Sequence, residues 1–126
     1  MKTLQLSLKK KWFEMTKAEI KTEDYREITP YWAKRLVGNW GYVGESNGLF
    51  PNLHNSFMSS LNILDFKSLK VNKMTLGYPK STDTERIIEL EHKGIEIGYG
   101  NPEWGAEEGK LYFVIKHGEI INKKEV

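Results

Sequence analysis

Leucines at positions 4, 6 and 8 alternate with Gln5 and Ser7. A period of two belongs to a strand with one buried face, so a first strand is expected over residues 4–8, ending where Lys9, Lys10 and Lys11 break the pattern. Trp12, Phe13, Met15 and Thr16 then recur at helical spacing among Lys and Glu. That spacing predicts a short amphipathic helix from 10 to about 19 whose apolar side covers the sheet. The charged run from Lys21 to Ile28 holds no Gly or Pro and stands between two helical stretches, so it reads as a strand. Thr29 directly precedes Pro30, the order of an N-cap followed by a first helical residue with no amide hydrogen to lose. A second helix is therefore expected from 30 to about 37.

Residues 38–62 break this rhythm. They are rich in Gly, Asn and Ser, with Trp40, Tyr42, Phe50 and Phe57 scattered among them and Glu45 the sole charged residue. Irregular stretches of this length in a compact domain are usually lids or locally packed excursions, and the aromatic content argues against a floppy linker. Strand patterns return at 69–71, 73–78, 86–92, 95–99 and 111–117, with Gly94 expected to separate the third of these from the fourth. The run from Gly98 to Gly105 is a turn-rich loop. Five to seven short strands and two small helices near the N-terminus predict an α+β fold, a mixed and mostly antiparallel barrel, since closure removes exposed sheet edges.

The composition supports one domain spanning 1–126 with a long loop insertion at about 38–62. Hydrophobic residues make up 39% and charged residues 29% of the 126, too apolar for a disordered chain and too polar for a membrane protein. There is no cysteine, which excludes disulfides and thiolate metal sites and points to the reducing cytoplasm. No stretch has the length of a signal peptide core or a membrane span. His54, His92 and His117 are far apart and lack a carboxylate at ligand spacing, so no metal and no cofactor is expected. Phosphate-binding loops, dinucleotide fingerprints and Gly-x-Ser-x-Gly elbows are likewise missing. The net charge is +2, yet residues 1–40 hold nine Lys or Arg against five Asp or Glu. That imbalance is either a solvated N-terminal surface or a face that attracts phosphates.

One short segment resembles a known signature. Glu19-Ile20-Lys21-Thr22-Glu23-Asp24-Tyr25-Arg26 is similar to the Gly-x-Lys-x-x-Glu-x-Arg motif of the ASCH family, with Lys21 and Arg26 matching, Asp24 in place of Glu, and Glu19 where the family has Gly. The blocks Trp12-Phe13-Glu14-Met15, Tyr25 to Trp32, and Gly94 to Gly105 extend the likeness to a phage and bacterial branch of that family. The resemblance implies a PUA-like β-barrel with a cleft beside the motif, binding RNA or a modified nucleobase. It also implies an alternative, because some ASCH-like proteins resemble amidohydrolases that deacetylate acetylated cytidine with a Lys, a Thr and a Glu. Asp24 occupies the Thr position here, so that reading needs Thr22 as a substitute, Lys21 as base or nucleophile and Glu103 as the acid. A third reading is a phage accessory protein whose 38–62 loop contacts a protein partner.

The residues have their own logic. In a regular strand Asp24 and Arg26 share a face and Lys21 points away, so the trio converges only if Lys21 sits at the strand entrance or a bulge intervenes. An Arg beside a carboxylate can present a planar fork to a phosphate or base edge, and Asp24 could accept from a base amino group. The alternative is a surface strand whose charges pair across solvent. Tyr25, Tyr31 and Trp32 are expected to pack in the core. Trp104 is either a packed lid or a stacking contact, and Glu103 either a solvated loop acid or a functional one. The expected binding set is Lys21, Asp24, Arg26, Asn101, Glu103 and Trp104. A glutamate at position 19 must adopt an unfavourable backbone geometry, or the turn must be built differently.

Overall fold

The computed structural model describes residues 2–38 and 65–122. Among these residues five strands form one mixed sheet: β1 (Thr3–Leu8), β2 (Glu23–Glu27), β3 (Val71–Leu76), β4 (Ile87–Tyr99) and β5 (Leu111–Ile120). Their order across the sheet is β1-β3-β4-β5-β2. Only β1 and β3 run parallel, and the other neighbours are antiparallel. The helices α1 (Lys10–Lys17) and α2 (Pro30–Leu36) flank β2 in the chain. The sheet curls into a half-barrel, an α+β arrangement consistent with the barrel-like fold expected. No helix among the described residues is long and apolar enough to cross a membrane.

Burial follows the alternation read from the sequence. Leu4, Leu6 and Leu8 of β1 join Phe13 of α1, Ala33 and Leu36 of α2, Met74, Ile88, Leu90, Phe113 and Ile115 in the main core. Strand β5 is buried on both faces, because Tyr112 and Val114 pack with Ala106 and Tyr25 in a second apolar cluster. That double burial explains the near-continuous apolar run Leu111 to Ile115, the pattern of a strand covered on both sides.

Three local features differ from expectation or refine it. Residues 86–92 and 95–99 are not two strands: β4 runs unbroken through Gly94, which has φ 127° and marks register shifts against β5 between Leu90 and Gly94. The glycine permits a bulge instead of a turn. Tyr31 is 63% exposed, not in the core, because α2 is short and buries chiefly Ala33 and Leu36. Trp32 and Tyr25 are partly buried against the two clusters. The 38–62 loop lies, but for Gly38, outside the described residues. The chain on either side of it is joined by backbone bonds from Lys67 N–H to the Leu36 carbonyl at 2.8 Å and from Gly38 N–H to the Asp65 carbonyl at 2.6 Å.

Both helices carry the end signals seen in the sequence. Thr29 Oγ1 accepts from the Trp32 amide at 3.3 Å, with Pro30 as the first helical residue. After α1, Ile20 N–H returns to the Met15 carbonyl and Glu19 N–H to the Thr16 carbonyl. This is a Schellman closure, and its left-handed residue is Glu19, with φ 62°. The glutamate thus keeps the turn by adopting the conformation that glycine would adopt freely. Replacing Glu19 by Gly should raise stability by roughly 0.5–1 kcal/mol, the left-handed penalty less the larger entropy of the unfolded glycine chain. Urea unfolding of the Glu19→Gly variant checks this, and a lower midpoint would show that the left-handed strain is not the governing term.

Candidate functional site

The Schellman turn delivers Lys21 to the entrance of β2, two residues before Glu23. From that position Lys21 reaches the same face as Asp24 and Arg26, the geometry that period-two alternation alone forbids. Lys21 is 2% exposed and Asp24 is 4% exposed. Lys21 Nζ donates to Asp24 Oδ1 at 3.2 Å and to the Glu23 carbonyl. Arg26 Nε donates to Asp24 Oδ2 at 2.7 Å. The carboxylate is therefore gripped on both oxygens, and its charge is held by two cations.

Arg26 does more than pair. One Nη2 hydrogen reaches the Ser7 carbonyl of β1 at 3.1 Å, while Arg35 Nη2 reaches the Gln5 carbonyl at 3.0 Å. Gln5 and Ser7 are two apart on a strand whose other edge pairs with β3, so both carbonyls face the open edge. Both guanidinium carbons stand 4.8 Å from the Trp32 ring. Two arginines steadied on one indole thus bring the outer strands β1 and β2 together.

Lys21, Asp24, Arg26 and Trp104 line one hollow of about 270 Å³, with Ser7, Leu8, Lys9, Trp12, Tyr25, Gly105 and Tyr112. Tyr25 anchors the loop that carries Trp104. Its hydroxyl accepts from the Asn101 amide at 2.9 Å and donates to Glu23 Oε1 at 2.8 Å. Burial, then the neighbouring Glu23, hold the phenol's pKa well above its usual value, so it stays a donor. Gly100 is needed for this contact, since a Cβ there would lie 2.9 Å from the Tyr25 ring. Gly105 similarly lets the chain pass Trp12, whose indole would be 2.8 Å from an added Cβ.

Asn101 and Glu103 are not among the residues that line the hollow. Asn101 Oδ1 instead caps the short 3-10 turn Pro102–Trp104 by accepting from the Glu103 amide at 2.9 Å, and Glu103 is exposed. Trp12, Lys9 and Tyr112 were missed as site residues. Trp12 carried a signal, a partly amphipathic helix position within reach of a glycine-rich loop, but the loop's path over it is a tertiary fact.

Family models, curated proteins and solved structures yield no match to this chain. The chemistry must be read from the residues themselves.

A second polar group lies inside the sheet. Asn72, fully buried on β3, donates from Nδ2 to the Lys116 carbonyl at 3.2 Å and meets His117 Nδ1 at 2.7 Å. Its Oδ1 meets His92 Nδ1 at 2.7 Å. With Nδ2 also serving a carbonyl, the amide orientation is settled, so His117 Nδ1 accepts and His92 Nδ1 donates. His117 Nε2 carries the hydrogen and has no hydrogen-bond partner among the described residues. The register that sets His92 opposite His117 comes from β4 and β5, which is why the sequence separation of the histidines misleads. Among the described residues no group of three or more acidic or histidine side chains is arranged to hold a metal. Lys21 also borders a second hollow of about 430 Å³, shared with Thr22 and His117.

Burial lowers the Lys21 pKa, against the opposing pull of Asp24. It also presses His117 down to about 4, with Lys21 and His92 adding to the effect and Asp24 resisting it. His92 is lowered by burial as well. The linkage has a definite sign. An unfolded histidine protonates near pH 6.5 while the folded one stays neutral, so stability is complete above about 6.5 and falls as pH drops toward 4. The loss attributable to His117 is on the order of 3 kcal/mol. Urea midpoints between pH 7.5 and 4 should show this slope, and the His117→Asn variant, which keeps an acceptor for Asn72, should flatten most of it. An equal slope in that variant would assign the titration elsewhere.

The ion cluster is asymmetric, and this can be tested. Removing the carboxylate in Asp24→Ala leaves a buried ammonium beside a guanidinium and should cost about 3–5 kcal/mol. Lys21→Met leaves Asp24 paired with Arg26 and should cost less than half of that. Thermal and urea unfolding of both variants decide the order. Equal losses would mean that Arg26 does not hold the carboxylate.

Proposed function

We propose that this chain is a PUA-like barrel of the ASCH kind that binds RNA or a modified nucleobase in the hollow beside Lys21, Asp24 and Arg26. The observation that supports this reading is the lining of one hollow by the charged motif and by Trp104, pieces about eighty residues apart in the chain. Recognition of single-stranded RNA relies on bases that leave the stack, lie on aromatic rings and are hydrogen-bonded at their edges. Trp12, Trp104 and Tyr25 supply rings, and Lys21 and Arg26 supply donors. The match of Lys21, Arg26 and, conservatively, Asp24 to the ASCH motif points the same way.

The amidohydrolase reading has one favourable observation, the lowered pKa of the Lys21 ammonium, which raises the fraction of free amine available as base or nucleophile. Against it, Glu103 does not border the hollow, and Thr22 borders the other one. We therefore rank binding above hydrolysis. A protein-partner role for the 38–62 loop rests on residues outside the described ones.

Binding is tested by quenching of tryptophan fluorescence with a panel of short RNAs at several salt concentrations. The expected result is micromolar affinity that weakens with salt and falls at least tenfold in Arg26→Ala, since charge-assisted bonds to an anion contribute about 1.5–3 kcal/mol. No quenching by any RNA, nucleotide or nucleoside would remove the proposal, and turnover of acetylated cytidine, lost in Lys21→Ala, would replace it with the enzyme reading.

A further inference from the structure

The polar groups around the hollow can be sorted by what they still have to offer. Ser7 Oγ donates to the Gly77 carbonyl at 3.3 Å. The Tyr25 hydroxyl already gives and receives a hydrogen bond, and the Tyr112 hydroxyl accepts from the Glu107 amide at 2.9 Å. Asp24, the one carboxylate in the lining, has Lys21 on one oxygen and Arg26 on the other. Ser7 Oγ keeps its lone pairs and the Tyr112 hydroxyl keeps its hydrogen, while Asp24 and Tyr25 are thus engaged with the protein.

The cations are not. Lys21 has three ammonium hydrogens, of which Asp24 and the Glu23 carbonyl engage two. Arg26 has five donors, of which Nε and one Nη2 hydrogen are engaged. Lys9 lines the hollow two residues after the Ser7 carbonyl that Arg26 holds, and its ammonium makes no ion pair or hydrogen bond among the described residues. Among the described residues the charged capacity left in the hollow is therefore cationic, with Lys9, Lys21 and Arg26 against a carboxylate already gripped on both oxygens. A neutral base, which has amino donors as well as acceptors, would find little to receive its hydrogens. An anion would find all three cations.

Resting on the reading of the hollow as a nucleotide-recognising site, we infer that its ligand is a phosphorylated nucleoside, with the ring against Trp12 and Trp104 and the phosphate among Lys9, Lys21 and Arg26. A bare nucleobase or nucleoside is then a poor ligand. The size agrees: about 270 Å³ lies just under the usual range for drug-sized ligands, which begins near 300 Å³, so the hollow holds one nucleotide and not a stretch of strand. Two sources share this chemistry, a free mononucleotide and a nucleotide within RNA.

The test titrates tryptophan fluorescence and heat of binding with cytidine and adenosine, with their 5′- and 3′-monophosphates, with inorganic phosphate, and with short single-stranded RNA. The expected result is a monophosphate bound at least tenfold tighter than its nucleoside, the effect of one or more charge-assisted bonds. RNA that binds more weakly than the monophosphate identifies the free nucleotide as the source, and RNA that binds as tightly or more so identifies the strand; both support the inference. Lys9 is an exposed residue whose replacement does not disturb the core, and Lys9→Glu should weaken monophosphate binding about tenfold. Nucleosides that bind as tightly as their monophosphates would overturn the inference while leaving the base-binding proposal in place, whereas inorganic phosphate bound as tightly as a nucleotide would overturn both, since the ring would then contribute nothing. Absence of binding by every nucleoside, nucleotide and RNA would remove both. An unchanged affinity in Lys9→Glu would overturn the assignment of the phosphate.

Discussion

The arrangement of this protein depends on how one buried carboxylate is compensated. Asp24 sits on an edge strand with its side chain turned inward, where an unpaired charge would be strongly disfavoured. Lys21 and Arg26 take one oxygen each, and Arg26 then extends to a carbonyl on β1. Among the described residues β1 and β2 are the end strands of the sheet, and end strands invite pairing with other chains. Here the β1 edge is occupied by guanidinium donors from Arg26 and from Arg35 of α2. The same ion pair that makes Asp24 tolerable in the interior therefore draws the two edges together and shapes the hollow between them.

How much of this the sequence disclosed depends on the range of the cause. Elements set by local pattern were legible: the leucine alternation of β1, the Thr29-Pro30 start of α2 and the start of β5, whereas the runs expected at 69–71 and 73–78 are one strand, Val71–Leu76. Glu19 was legible as a problem, since a residue in the place of a turn glycine must either strain or rebuild the turn, and it strains, at φ 62°. Gly94 was misread because a glycine between two strand patterns signals a break or a bulge with the same letter, and only pairing with β5 distinguishes them. Tyr31 was misread because aromatic residues are mostly buried, whereas a seven-residue helix has too narrow a covered face to bury adjacent rings.

The candidate site divides in the same manner. Lys21, Asp24, Arg26 and Trp104 could be named from composition and motif, and all four line one hollow. Asn101 and Glu103 were named because they neighbour Trp104 in the chain, and adjacency in a turn does not carry adjacency in space: the short 3-10 turn directs Trp104 toward the hollow and leaves Glu103 in solvent. Lys9 and Trp12 were missed for the opposite reason. They border the hollow because the loop that carries Trp104 and Gly105 passes over the start of α1, which no spacing in the sequence records.

The polar interior bears on how rigidly the site is held. Most small domains leave their core to apolar side chains, yet this sheet holds Asn72 and His117 at full or nearly full burial close to the Lys21 and Asp24 pair. Such groups contribute little net stability compared with well-packed apolar residues, but each has few geometries in which its bonds are satisfied. Asn72 ties β3 to β5 and, through His92, to β4, and β5 in turn pairs with β2, the strand that carries Asp24. A neutral His117 adds no charge beside the ammonium, so Lys21 keeps one anionic partner and a defined direction. The hydrogen-bonded interior thus fixes the frame on which the Lys21 and Asp24 pair is set.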